Sequence, residues 1–233
     1  MQNKSLSEYL SKLQELVNAS NYEDCIKLLN NAIHEYPDNN KLKLNLGNVH
    51  KLLDQSSEAI KVFSSLITSD VGALANNNLS LIYLELGEVN KSIEHAEKAL
   101  DINQNYEDAK FNLALAHFNN KNLSRSSSIL EDLINSNKFS SRAMELKIRI
   151  QQISCDWSKW EDTVNLLSKN KLTVHPFLHV SHIDDDELNF INALHWAKLK
   201  PTFHKWTNNK SKKPEDKIKL GFLCGEIRNH PTF

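Results

Sequence analysis

The side chains of this chain that could do chemistry fall into a few groups, and most of them resist assembly into a site. His175, His179 and His182 stand in the pattern HxxxHxxH, which on one helix would turn imidazoles toward a zinc ion. Pro176 directly follows the first of them. It breaks the continuous helix that the pattern needs, and no cysteine or fourth ligand stands at a matching distance, so no metal is expected. Asp184, Asp185 and Asp186 form an acidic run, which reads as the solvated start of a helix, where carboxylates meet the positive end of the dipole. The glycine-rich loops that cradle phosphates are absent from the sequence. Near the end, Arg228, Asn229 and His230 follow the apolar run IKLGFLC. Such a run suits a parallel strand buried on both faces. Ligands of open α/β sheets bind beyond the carboxyl ends of strands, and a histidine there can take or give a proton near neutral pH. Asn45, Asn78 and Asn112 recur at intervals of 33 and 34 residues. A column of carboxamides, each with one acceptor and two donors, can hold the backbone amides of an extended peptide without reading its side chains.

These residues need elements to position them, and composition points to helices. Five Gly and five Pro in 233 residues are too few for the turns of an all-β chain. Balanced charge, 28 Lys+Arg against 29 Asp+Glu, gives no global reason to bind nucleic acid or an anionic membrane. The N-terminus has no signal-peptide pattern and no apolar run reaches membrane-spanning length, so a cytoplasmic location is expected. Cys25, Cys155 and Cys224 form no CxxC pair or even set and read as reduced thiols. Trp196, Phe203 and Trp206 read as packing groups, and Lys210, Lys212 and Lys213, broken by Glu215 and Asp216, as a linker.

The period of the asparagines belongs to a larger repeat. Cys25, Ala59, Ser92 and Ser126 are spaced 34, 33 and 34 residues apart, and seven residues after each stands Ala32, Leu66, Ala99 or Leu133. In the helix before each small residue, Leu46, Leu79 and Leu113 mark the first buried position. Beside them lie Gly47, Ser80 and Ala114, with His50, Tyr83 and His117 four residues after the leucines. Small residues at these places let two helices cross closely. LLDQ, LELGE and NNKN mark turns, and Pro37 ends the first unit. Over residues 6–139 the chain resembles the tetratricopeptide family, whose period is about 34 residues. The resemblance implies an all-α solenoid of about four helix pairs, the first helix of each pair lining an inner wall that binds proteins.

After about residue 139 the sequence repeat fades. Residues 140–206 read as a helical linking region containing CDWSKW (155–160) and PFLHVSHIDDDEL (176–188), residues 207–216 as a linker, and residues 217–233 as the start of another domain. Repeats, a CDW motif, the PFLHVSHIDDDEL pattern and IKLGFLCGEIRNHP (218–231) in that order resemble the O-linked N-acetylglucosamine transferase family. Gly225-Glu226-Ile227 stands where that family more often has Ser-Asp-Phe. The resemblance implies the N-terminal part of an inverting, metal-independent protein O-glycosyltransferase that uses UDP-N-acetylglucosamine. Its repeats would bind acceptor protein, and it would retain only the first strand of a two-lobed Rossmann-like (GT-B) catalytic region. His230 then implies an active-site group of an intact enzyme, with Arg228 and Asn229 in the loop beside it. The 233-residue chain alone is expected to be inactive and to bind UDP-sugar poorly. The other reading is a non-catalytic adaptor for protein–protein interaction.

Overall fold

In the computed structural model, residues 5–136, 141–170 and 173–198 are described. Among them the chain forms twelve α-helices and no strand: α1 (Leu6–Asn18), α2 (Tyr22–Glu35), α3 (Asn40–Leu52), α4 (Ser56–Ser64), α5 (Gly72–Glu85), α6 (Val89–Ile102), α7 (Glu107–Asn119), α8 (Leu123–Asn135), α9 (Ser141–Ser154), α10 (Trp160–Asn170), α11 (Pro176–Val180) and α12 (Asp186–Lys198). Each helix from α1 to α8 packs on the next, and the first helices also touch one another, α5 on α7 and α7 on α9. This is the all-helical repeat solenoid that the period foretold. The terminal strand, with Arg228, Asn229 and His230, lies outside the described residues.

The small residues do what their spacing requires. Cys25, Ala59, Ser92 and Ser126 are all fully buried, and Ala32, Leu66, Ala99 and Leu133 nearly so. Within the hairpins the crossing is sealed by short polar links: Ser80 and Ser92 hydroxyls lie 3.1 Å apart, and the Ser126 hydroxyl donates to the Ala114 carbonyl at 2.7 Å. At Gly47 the fit is steric. A Cβ there would stand 2.5 Å from a ring carbon of the fully buried Phe63, so the glycine gives that ring its place. Leu79 and Leu113 are buried as expected, while Leu46 is only partly covered and Leu42 and Leu44 take the core positions of α3.

The turns between paired helices repeat in backbone as well as in sequence. Ser20, Asp54, Gly87, Lys121 and Cys155 all have positive φ, between 51° and 77°. The residue after each donates its N–H to the carbonyl five places back: Asn21 to Leu16, Gln55 to His50, Glu88 to Tyr83, Asn122 to His117 and Asp156 to Gln151, at 2.8–3.0 Å. A left-handed residue followed by such a bond is the Schellman ending of a helix. The intervals are 34, 33, 34 and 34 residues. The backbone period therefore continues past residue 139, and the CDW motif is the turn of a fifth hairpin, α9–α10. Asp156 accepts from the Ser158 N–H and hydroxyl at 3.0 and 2.6 Å and so organises the entry to α10. Glu131 of α8 draws in Lys159 and Lys147, at 2.8 and 3.4 Å, tying that hairpin to its predecessor.

Beyond α10, Pro176 occupies the first turn of α11, as a proline with no N–H to satisfy should. Asn192 of α12 is buried and grips Val174 at both backbone groups, accepting from its N–H at 3.0 Å and donating to its carbonyl at 2.9 Å. The three histidines of HxxxHxxH are thus split between a helix and the loops on either side. Among the described residues no group of His, Cys, Asp and Glu is placed to hold a metal ion.

Candidate partner-binding groove

The first helices of the hairpins carry two clefts. The larger, of 660 Å³, lies between α1, α3 and α5; Leu6, Leu10, Leu44, Val71 and Leu74 are among its apolar lining, and Asp38, Lys41, Asn45 and Asp70 among its polar lining. The smaller, of 220 Å³, lies between α7 and α9 and is lined by Phe111, Leu115, Arg142, Glu145, Leu146 and Arg149. In the latter the Arg142 guanidinium sits 4.9 Å from the Phe111 ring centre and pairs with Asp108 at 2.9 Å, a combined stacking and ionic contact that fixes its plane. Glu145 is already engaged, accepting the His175 backbone N–H at 2.6 Å.

The asparagine column lies along these helices but is not uniformly open. Asn45 lines the larger cleft, partly exposed. Asn78, also partly exposed, donates to the Leu74 carbonyl of its own helix at 3.1 Å and accepts from Lys51 at 3.3 Å. Asn112 is 7% exposed and donates to Asn77 at 2.8 Å, while Asn77 in turn donates to the Tyr106 hydroxyl at 3.3 Å. One member of the column therefore faces a cleft, one is shared, and one belongs to the seam between adjacent first helices. A carboxamide at this register can bond a ligand or the preceding repeat, and sequence spacing does not separate the two uses.

Three imidazoles, His95 and His117 partly buried and His182 buried, add a pH response. His95 stacks on Tyr83 at 5.3 Å and its Nδ1 pairs with the buried Asn76 at 2.9 Å. Burial lowers its pKa, and nearby Lys98 and Lys91 add to the effect while Glu94 opposes it. Burial likewise lowers His117, with Arg125 adding and Glu97 opposing. His182 lies flat on Trp160 with ring centres 4.2 Å apart. Its Nδ1 lies 2.9 Å from both the Leu178 carbonyl, to which it can donate, and the Ser181 hydroxyl, from which it can accept. Among the described residues its buried Nε2 has no partner, so the imidazolium would leave a buried N–H without an acceptor. Burial lowers this pKa most; the bond to the Leu178 carbonyl opposes that and His179 adds to it. All three folded-state pKa values lie below the unfolded value, so the unfolded chain binds more protons as pH falls, and stability is full above about pH 6.5 and declines below it. The urea midpoint should fall between pH 7 and pH 5, before the carboxylates titrate, and a flat midpoint over that range would remove the histidines from the account.

The comparisons with known proteins concern the same helices. The family model described as tetratricopeptide repeat matches residues 73–106, which is the α5–α6 hairpin and the turn after it. The sequence has no match among curated proteins. Among solved structures, a tetratricopeptide repeat protein from Parabacteroides merdae is 19% identical, with a TM-score of 0.62 over 83% of this chain and 75% of that one. PilF of Pseudomonas aeruginosa is 14% identical, with a TM-score of 0.63 over 84% and 92%. YrrB, described as a TPR protein with an unusual peptide-binding site, is 14% identical, with a TM-score of 0.54 over 82% and 90%. At these identities the likeness is one of fold. No helix among the described residues is long and apolar enough to cross a membrane. Repeat spacing, recurrent turns, the matched hairpin and the shared architecture together show that this chain has the fold of a tetratricopeptide-type helical solenoid.

Proposed function

We propose that the chain is a partner-recognition module whose first helices hold an extended segment of another protein. The observation that supports this most is that the 660 Å³ cleft falls on the first helices α1, α3 and α5 and a second on α7 and α9, while a hollow of 390 Å³ lies instead at the α5–α6 turn beside Gly87, Lys91 and Asn120. Apolar side chains stay open to solvent there, with Leu10 at 43% and Leu74 at 42%. The solved relative described as having a peptide-binding site lends the reading a precedent within the fold. A photo-crosslinking residue at Leu74 or Leu115 should capture partner protein, whereas one at Ile102, exposed at the end of a second helix, should not. Equal capture from Ile102, or none from the first helices, would refute the module.

A finer reading is favoured by the order of the motifs. CDWSKW, PFLHVSHIDDDEL and IKLGFLCGEIRNHP follow the repeats in the sequence that the glycosyltransferase resemblance requires. On this reading the groove presents acceptor proteins to a UDP-N-acetylglucosamine-dependent catalytic region, with His230 as a proton acceptor or hydrogen-bond donor beside the reacting groups and Arg228 and Asn229 in its loop. An assay of sugar transfer by this chain joined to the region encoded downstream, with His230→Ala alongside, tests it. The substitution should slow transfer by about 10²–10⁴-fold. Unchanged turnover, or no transferase region downstream, leaves the non-catalytic adaptor.

A further inference from the structure

We propose that the cleft between α1, α3 and α5 is selective for an extended segment that carries a large aliphatic side chain next to a lysine or arginine. This rests on the groove reading above and adds the chemistry of the partner. The cleft's 660 Å³ is within the range of pockets that enclose ligands. Its apolar part is unfilled: Leu10 and Leu74 remain more than 40% exposed on opposite sides of it, a standing cost that an aliphatic side chain would relieve.

The polar part has a sign. Asp38 and Asp70 both line the cleft, and among the described residues neither is ion-paired. Asp70 accepts one hydrogen bond, from Asn40 at 2.7 Å, which fixes its carboxylate and leaves further acceptor capacity. Lys41, the remaining charged group of the lining, pairs with neither, so the lining carries one net negative charge. In the α7–α9 cleft the charged lining is Arg142, Arg149 and Glu145; Arg142 is paired with Asp108 and Glu145 accepts the His175 backbone N–H, so no carboxylate there is unengaged. A basic residue is thus favoured at the α1–α5 end, where the carboxylates of Asp38 and Asp70 lie with no ion pair among the described residues.

The test uses the full chain and three short fluorescein-labelled peptides with Arg-Leu-Lys, Gln-Leu-Gln or Glu-Leu-Glu at the centre, read by fluorescence anisotropy. The Arg-Leu-Lys peptide should bind tightest, and raising salt from about 0.05 M to about 0.5 M should weaken it more than the Gln-Leu-Gln peptide. Asp38→Asn with Asp70→Asn, which preserves shape and the acceptor for Asn40, should erase that preference, a loss of about 3- to 20-fold for two exposed pairs. Leu10→Gln with Leu74→Gln should weaken all three peptides alike, with circular dichroism unchanged. Equal or tighter binding of Glu-Leu-Glu refutes the charge selectivity and leaves the groove as a general peptide site. Failure of all three peptides to bind refutes the selectivity here, while the crosslinking test judges the module separately. Self-association in sedimentation that Leu74→Gln abolishes would make a second copy the occupant and overturn the proposal.

Discussion

Phe63→Ala should be among the most damaging single substitutions in the chain, costing about 3–5 kcal/mol. The ring is fully buried and fills the space that the missing side chain of Gly47 leaves between α3 and α4. Removing it opens a void that neither helix can close, because both are also held to their other neighbours. The reciprocal change, Gly47→Ala, drives a methyl into a rigid buried ring and should cost about 1–3 kcal/mol. The two effects are coupled. In the double variant the new methyl occupies part of the void, so its total cost should be less than the sum of the singles. Urea denaturation of the four proteins checks this, and strict additivity would show that the glycine is there for some reason other than the ring.

The second large effect is expected at Asn192. Its carboxamide satisfies both backbone groups of the fully buried Val174. Asn192→Leu keeps the volume but leaves a buried donor and acceptor unpaired, at about 1–3 kcal/mol each. The damage should be local: hydrogen exchange at the Val174 amide should quicken at least tenfold, while amides of α1–α6 keep their protection, because in repeat proteins each unit leans mainly on its neighbours. Unchanged exchange at Val174 would show that the α10–α11 connection is held by something other than this clamp.

Much of this fold could be read from spacing alone. A small residue every 33 or 34 positions can be counted, and burial makes its identity matter, so Cys25, Ala59, Ser92 and Ser126 disclose the crossings directly. The fifth hairpin was harder to see. Its turn keeps the phase, at Cys155, but the helices around it do not keep the pattern. Ile148 stands in α9 where Gly47, Ser80 and Ala114 stand in the earlier first helices, and Trp160 takes the phase of Ser126. With Gln151 and Thr163 buried and linked at 3.3 Å, the contact has moved along the helices. Backbone geometry kept a period that side-chain type had lost. The placement of the asparagines was half legible. The asparagine interval is real, yet whether a carboxamide faces solvent or the next helix depends on its rotamer and on which neighbour offers a partner. Asn77, one position before the column, is the partner that captures Asn112, and nothing in the interval announces it. Asp38 and Asp70 lie in segments before first helices and share no motif, so only the folded arrangement puts them on one rim.

The recurrent left-handed turns also bear on how such a chain can change its length. Gly87 and Lys121 are joined to their helices by the same bond in the same phase. Deleting everything after one turn residue through the next, residues 88–121, would bring Gly87 to Asn122 and leave an intact turn between α5 and α8. The helices meeting across it would face each other with Ser80 and Ser126, side chains already fitted to close crossings. Each of the turns at Ser20, Asp54, Gly87 and Lys121 therefore marks a phase-preserving junction: exchange between two of them keeps the helix crossings within hairpins in register. The number of stacked hairpins can then change in steps of one unit while the backbone phase of the rest is kept.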